Sequence, residues 1–177
     1  MNKAIVFDRD GTIIKEAGYI KDPKLVKILP GVIDGLEIIE RLGFLRIILS
    51  NQSGIGRGLM KLRDVEKINW WMEDYLLKEG IRLDGIFFSI DPPWIDSKTR
   101  KPATGLIEKV IDWYKIDLKH LFVVGDKRDD IFLARNIGAK EVLVLTGHGE
   151  ETAREIKTEL VFPDILSFAN YLKGIYV

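Results

Sequence analysis

The sequence predicts an α/β fold built on a mainly parallel sheet with helices on both faces. Three observations carry this prediction. Short runs of Ile, Val, Leu and Phe on consecutive positions recur along the chain, as expected of strands buried on both sides. Segments with apolar residues at three-and-four spacing separate these runs, as expected of helices. No Pro/Gly/Ser-rich linker and no internal repeat interrupts the alternation.

Taken in order, strands are predicted over residues 3–7, 45–50, 85–90, 121–124 and 141–145, with helices over 32–42, 63–79, 104–114 and 129–137. Gly43, Gly80 and Gly138 stand just beyond three of the helices, where a left-handed residue closes the last turn. Strands joined through helices imply right-handed crossovers and hence the parallel sheet. Residues 11–30, between the first strand and the first helix, are too many for a turn and are expected to form a small flap. No other insertion is long enough for a large cap domain. The chain, 1–177, is expected to fold as one domain whose core needs no covalent staples.

The absence of cysteine excludes disulfides, thiolate zinc sites, iron–sulfur clusters and cysteine nucleophiles together. Lys+Arg and Asp+Glu are equal at 27 each, so the chain lacks the charge imbalance of a nucleic-acid or membrane-surface binder. The longest stretch without a charged side chain, residues 47–56, is short and polar and cannot span a bilayer. Met1-Asn2-Lys3 leads directly into an apolar run too short for a signal peptide. The expectation is a soluble cytoplasmic protein, monomeric or a small homo-oligomer, with no nucleic-acid or membrane partner.

In an open parallel sheet the chemistry lies beyond the carboxyl ends of the strands. Asp8-Arg9-Asp10-Gly11-Thr12 follows the first predicted strand, and Ser50-Asn51-Gln52-Ser53-Gly54 closes the second. The third leads through residues 91–99 to Arg100-Lys101-Pro102, and the fourth runs into Gly125-Asp126-Lys127-Arg128-Asp129-Asp130. Asp8 and Asp10 are two apart, so their carboxylates share a side if the strand geometry persists. Such a pair repels itself and binds a divalent cation, and all-oxygen donors suit Mg²⁺. Asp126 is placed to close that metal site, and Asp130, one helical turn on, to orient it or a bound water. Lys101, Arg100 and Arg57 would offset the acids and hold an anion, with Ser50 donating its hydroxyl.

These residues resemble the haloacid dehalogenase (HAD) superfamily of phosphatases. Asp8-Arg9-Asp10-Gly11-Thr12 resembles its first motif, and Ser50, Lys101 and Gly125-Asp126 with Asp130 follow in chain order as the others. More narrowly, residues 50–58, Arg100-Lys101-Pro102 and Val124-Gly125-Asp126-Lys127 are similar to the heptose bisphosphate and histidinol phosphate phosphatases. The resemblance implies a Rossmann-like fold and an aspartyl-phosphate mechanism with Asp8 as nucleophile and Asp10 as acid and then base. It implies Mg²⁺ on Asp8, the Asp10 carbonyl and Asp126, with Ser50 and Lys101 holding the phosphoryl group. Glu16, Gly18, Tyr19, Asn51, Gln52, Ser53 and Lys127 are matched to substrate contacts and Arg100 to substrate recognition, while Arg57 is a substrate-binding candidate by its place in a strand-end loop.

One departure stands out. Those relatives commonly carry zinc on a Cys-x-His pair and a later Cys-x-Cys pair, whereas this chain has Ser89-Ile90-Asp91 and Ser97-Lys98-Thr99 there, so no zinc is expected. Pro92, Pro93 and Trp94 are expected to stiffen the loop, with Trp94 packed beneath it. The substrate expected is a small phosphate ester of a sugar or polyol. Heptose bisphosphate is the first choice, with histidinol phosphate or a broader range as alternatives. A phospho-receiver signalling module is the competing class, since it too combines acids, Mg²⁺, a hydroxyl and a lysine on a parallel sheet.

Overall fold

The computed structural model describes residues 1–176. Six strands, all parallel, lie in the order β3-β2-β1-β4-β5-β6: β1 Asn2–Phe7, β2 Phe44–Asn51, β3 Gly85–Ser89, β4 Ile116–Gly125, β5 Lys140–Val144 and β6 Val161–Phe162. The order reverses between β1 and β4, so the loops after these two strands leave on either side of a crevice.

Alternation along each strand divides the core into two layers. On one face Ile5, Phe7, Phe44, Ile48, Phe122 and Val124 pack with residues of α1 (Val32–Arg41), α3 (Leu62–Lys78) and α7 (Ile165–Tyr176). On the other, Ala4, Val6, Ile47, Leu49, Leu121 and Val123 meet α4 (Gly105–Tyr114) and α5 (Arg128–Ile137). Two short helices, α2 (Ser53–Gly56) and α6 (Gly149–Glu155), sit at strand ends on the crevice side. Helices α1 and α7 approach closely at Gly35, where a Cβ would lie 2.7 Å from Ile165 Cγ2.

The structure adds to the five expected strands. Strand β6 has two residues, too few to show a period. Strand β4 starts at Ile116, because Asn2 at the head of β1 pairs with Ile116 although Asp117, Lys119 and His120 break the apolar run. Helices α2, α6 and α7 also lie outside the predicted set. Residues 11–30 form an anchored excursion. Ile14 bridges both Asp10 and Ile28, residues Pro23–Leu25 make a short 3-10 turn, and Ile13, Ile14, Ile20 and Val26 are buried. The segment thus plants its apolar side in the core and presents Glu16, Gly18 and Tyr19 to the crevice.

Candidate active site

Three carboxylates converge at the switch point. Asp8 follows β1, Asp126 follows β4 and Asp130 lies in the first turn of α5, and their ligand oxygens are within 4.8 Å of one another. All three are buried. Glycines make the convergence possible. A Cβ on Gly11 or on Gly147 would stand 2.2 Å from Asp126 Oδ2, and both have positive φ, +85° and +56°. A Cβ on Gly125 would meet Asp130 Oδ2 at 2.1 Å. Asp126 Oδ2 accepts the His148 N–H at 2.8 Å, while Oδ1 is buried without a partner. An orphaned carboxylate oxygen beside two further carboxylates is a donor set that fits a hard divalent cation such as Mg²⁺.

The electrostatics follow from that crowding. Burial, then Asp8 and Asp130, push the Asp126 carboxyl up to about 8, against a restraining bond from His148. Burial likewise lifts Asp130 to about 6, although Lys101 opposes it. For Asp8, burial acts in the same sense, but the Lys101 and Lys127 charges outweigh it and hold the group below its ordinary value. Lys101 is the pivot. Its buried ammonium donates to Asp8 Oδ1 (2.8 Å), Asp130 Oδ1 (2.6 Å) and the Leu49 carbonyl (2.7 Å), which uses its three protons. Burial would lower its pKa, yet Asp130 and Asp8 raise it, so it stays charged. Asn51 fixes its backbone by a reciprocal pair: the Lys101 N–H donates to Asn51 Oδ1 at 2.9 Å, and Asn51 Nδ2 donates to the Lys101 carbonyl at 3.1 Å.

Asp10 departs from the expected placement. Its carboxylate does not join the trio, because β1 ends at Phe7 and strand alternation does not persist to residue 10. It borders the same cleft but accepts from Arg9 and from Gln52 Nε2, at 3.0 Å. Ser50 is 1% exposed at the end of β2, and its Oγ accepts from the same Gln52 nitrogen at 3.2 Å.

Comparison with known proteins decides the family. Residues 98–168 match the family described as "HAD-hyrolase-like". The D-glycero-beta-D-manno-heptose-1,7-bisphosphate 7-phosphatase of Haemophilus influenzae is 34% identical over 184 residues, covering 98% of this chain and 98% of that protein. The chain belongs to the haloacid dehalogenase family of phosphatases. The enzyme of the same description from Escherichia coli K12 is 35% identical over 153 residues, 81% of this chain and 80% of the relative. Among solved structures, the D,D-heptose 1,7-bisphosphate phosphatase of B. bronchiseptica, complexed with magnesium and phosphate, superposes with a TM-score of 0.91. It is 28% identical and covers 98% of this chain and 99% of that one.

The cleft of this phosphatase has a volume of about 380 Å³. Of the residues expected to contact substrate, Glu16, Gly18, Tyr19, Asn51, Gln52, Ser53, Arg100 and Lys127 line it, together with Asp8, Asp10, Lys101 and Asp130. Lys127 Nζ donates to Glu16 Oε2 at 2.7 Å, tying the excursion of residues 11–30 to the loop after β4. Arg57 is not among the lining residues. Its guanidinium lies 5.2 Å from the Trp94 ring centroid, and Trp94, 67% exposed, does not pack beneath the loop as expected. His148, which follows β5 in Thr146-Gly147-His148-Gly149, also lines the cleft.

The loop that departs from the zinc pattern is closed by its own side chains. Asp91 Oδ2 accepts from Ser97 Oγ (2.5 Å) and Thr99 Oγ1 (3.1 Å), and Ser89 Oγ lies 2.9 Å from Thr99 Oγ1. Ser97 Oγ also accepts the Arg100 N–H at 2.9 Å, and Arg100 Nη1 donates to the Asp91 carbonyl at 3.3 Å. Arg100 is therefore held at both its backbone and its side chain before it enters the cleft.

Proposed function

We propose that this phosphatase removes one phosphate from a small phosphorylated sugar, with D-glycero-D-manno-heptose 1,7-bisphosphate, cleaved at position 7, as the substrate. The observation that carries this reading is the near full-length similarity to enzymes of that description, joined to a polar cleft of sugar-phosphate size. Arg100 and Lys127 add cations to Lys101 in the lining, which suits a substrate with more than one anionic group.

In this reading Asp8 is the nucleophile. The free oxygen of Asp8 attacks phosphorus, the phosphorus–oxygen ester bond breaks, and the leaving alkoxide takes a proton from Asp10. Asp10, now a carboxylate, removes a proton from water. The resulting hydroxide attacks the aspartyl-phosphate and releases inorganic phosphate, restoring Asp8. Ser50 donates its hydroxyl to the phosphoryl oxygens, and the Lys101 ammonium beside Asp8 offsets their negative charge. Asp8, Asp126 and Asp130 are the side chains that would hold or order Mg²⁺, which supplies positive charge to offset repulsion between the carboxylates and the phosphate. The loop at 89–99 has serine, threonine and aspartate where the zinc pattern has cysteine and histidine, and their side chains hydrogen-bond to one another.

The test is inorganic phosphate release from heptose 1,7-bisphosphate, histidinol phosphate, common sugar phosphates and nucleotides, each with Mg²⁺ and with EDTA. Mg²⁺-dependent preference for the heptose supports the reading. Preference for histidinol phosphate, or weak release from every compound, replaces the substrate, and no release from any returns the receiver-like alternative.

A further inference from the structure

Arg9 is the largest fully buried side chain among the described residues, at 2% exposure. A guanidinium keeps its charge and can only donate, so burying it demands acceptors around its fork. They come from three elements. Nε and Nη2 donate to the two oxygens of Asp10 at 3.0 and 3.2 Å. Nη2 also donates to Gln52 Oε1 at 3.1 Å, and Nη1 donates to Asn69 Oδ1, on α3, at 2.8 Å. Neither Arg9 nor Asn69 lines the cleft.

Because Arg9 only donates, it dictates which way the Gln52 amide faces. Oε1 turns to Arg9, and Nε2 turns to Asp10 Oδ2 (3.0 Å) and Ser50 Oγ (3.2 Å). Both amide hydrogens are then committed, so Gln52 keeps no N–H for a substrate. Ser50, accepting from Gln52, retains its own O–H to donate. The directed chain Asn69, Arg9, Gln52, Ser50 and Asp10 thus orients one phosphoryl ligand and one proton carrier together.

We propose that Arg9, braced by Asn69, is a positioning residue that holds the Asp10 carboxylate for proton transfer and, through Gln52, turns the Ser50 hydroxyl toward the phosphoryl group. This rests on the reading of Asp10 as the acid of the first step. Its particular consequence is leaving-group dependence. An alkyl phosphate needs a proton on the departing oxygen, whereas p-nitrophenyl phosphate releases an anion that leaves unaided.

The experiment compares kcat/KM on an alkyl phosphate and on p-nitrophenyl phosphate for wild type, Arg9→Lys and Asn69→Ala, with folding checked by circular dichroism and thermal melts. Alanine is a better helix former than asparagine, so Asn69→Ala leaves α3 intact. Lysine keeps the charge of Arg9 but not its fork. Both variants should lose about tenfold more on the alkyl ester, a part of the ~10²–10⁴ that a placed acid contributes, than on the aryl ester, whose smaller loss reads the Ser50 hydroxyl alone. Equal losses on both esters, or no loss on either, would overturn the inference. A wild-type enzyme that releases phosphate from no ester, heptose 1,7-bisphosphate included, overturns the proposed function itself, and this inference with it.

Discussion

The ammonium of Lys101 sits 2.8 Å from Asp8 Oδ1, with the two side chains only 4% and 6% exposed. The pair joins a residue after β1 to one in the loop beyond β3, and the same ammonium reaches Asp130 at 2.6 Å. One buried cation therefore stabilises two buried carboxylates. Removing it strands both. Lys101→Met should destabilise the protein by about 3–5 kcal/mol, the effect of breaking a buried ion pair. It should also abolish turnover. Chemical denaturation of the variant at neutral pH, without metal, measures the stability loss.

The raised carboxyl values set a pH dependence. Asp126, at about 8, and Asp130, at about 6, hold protons in the folded protein that the unfolded chain releases near the ordinary value of 3.8. The folded state then binds more protons than the unfolded one, so metal-free stability falls as pH rises through about 6 and about 8. Mg²⁺ must displace the same protons. The rise in melting temperature on adding Mg²⁺ should accordingly be larger at pH 8 than at pH 6, which a two-pH thermal melt series checks directly.

Gly11 tests the carboxylate cluster by sterics alone. A Cβ there would collide with Asp126 Oδ2 at 2.2 Å, and the residue holds φ +85°. Gly11→Ala should lose the Mg²⁺-induced stabilisation and most of the activity. Metal titration followed by calorimetry reads the first effect independently of the second.

Much of this arrangement was legible in the sequence, for identifiable reasons. Buried parallel strands must be apolar on both faces, so the runs around Val6, Ile48 and Val123 announced themselves. Asp8, Ser50 and Asp126 stand at strand ends, where topology alone brings them together, and Lys101 comes from the loop beyond β3. Helix α7 carried a readable apolar spacing in Ile165, Phe168, Ala169 and Leu172 but was not assigned. Other features leave no periodic trace. The contact of Arg9 with Asn69 spans 60 positions, and the stacking of Arg57 on Trp94 joins two exposed residues. Asp10 turned out differently because strand alternation stopped at Phe7.

Asp91 carries the loop that delivers Arg100. It accepts from Ser97 and Thr99, so Asp91→Ala removes the carboxylate that both hydroxyls share and should destabilise the protein by about 1–3 kcal/mol. Because Lys101 is fixed separately by Asn51, the loss should raise KM more than it lowers kcat. Steady-state kinetics on the preferred substrate separates the two.

The proposed reaction turns on Asp8 as the nucleophile. The most direct test is phosphate release by Asp8→Asn, with saturating Mg²⁺, beside wild type, with folding verified by circular dichroism. The expected result is a folded variant whose turnover falls by about a thousandfold or more, the effect of removing a covalent nucleophile. A folded Asp8→Asn protein that retains activity within about tenfold of wild type would contradict it.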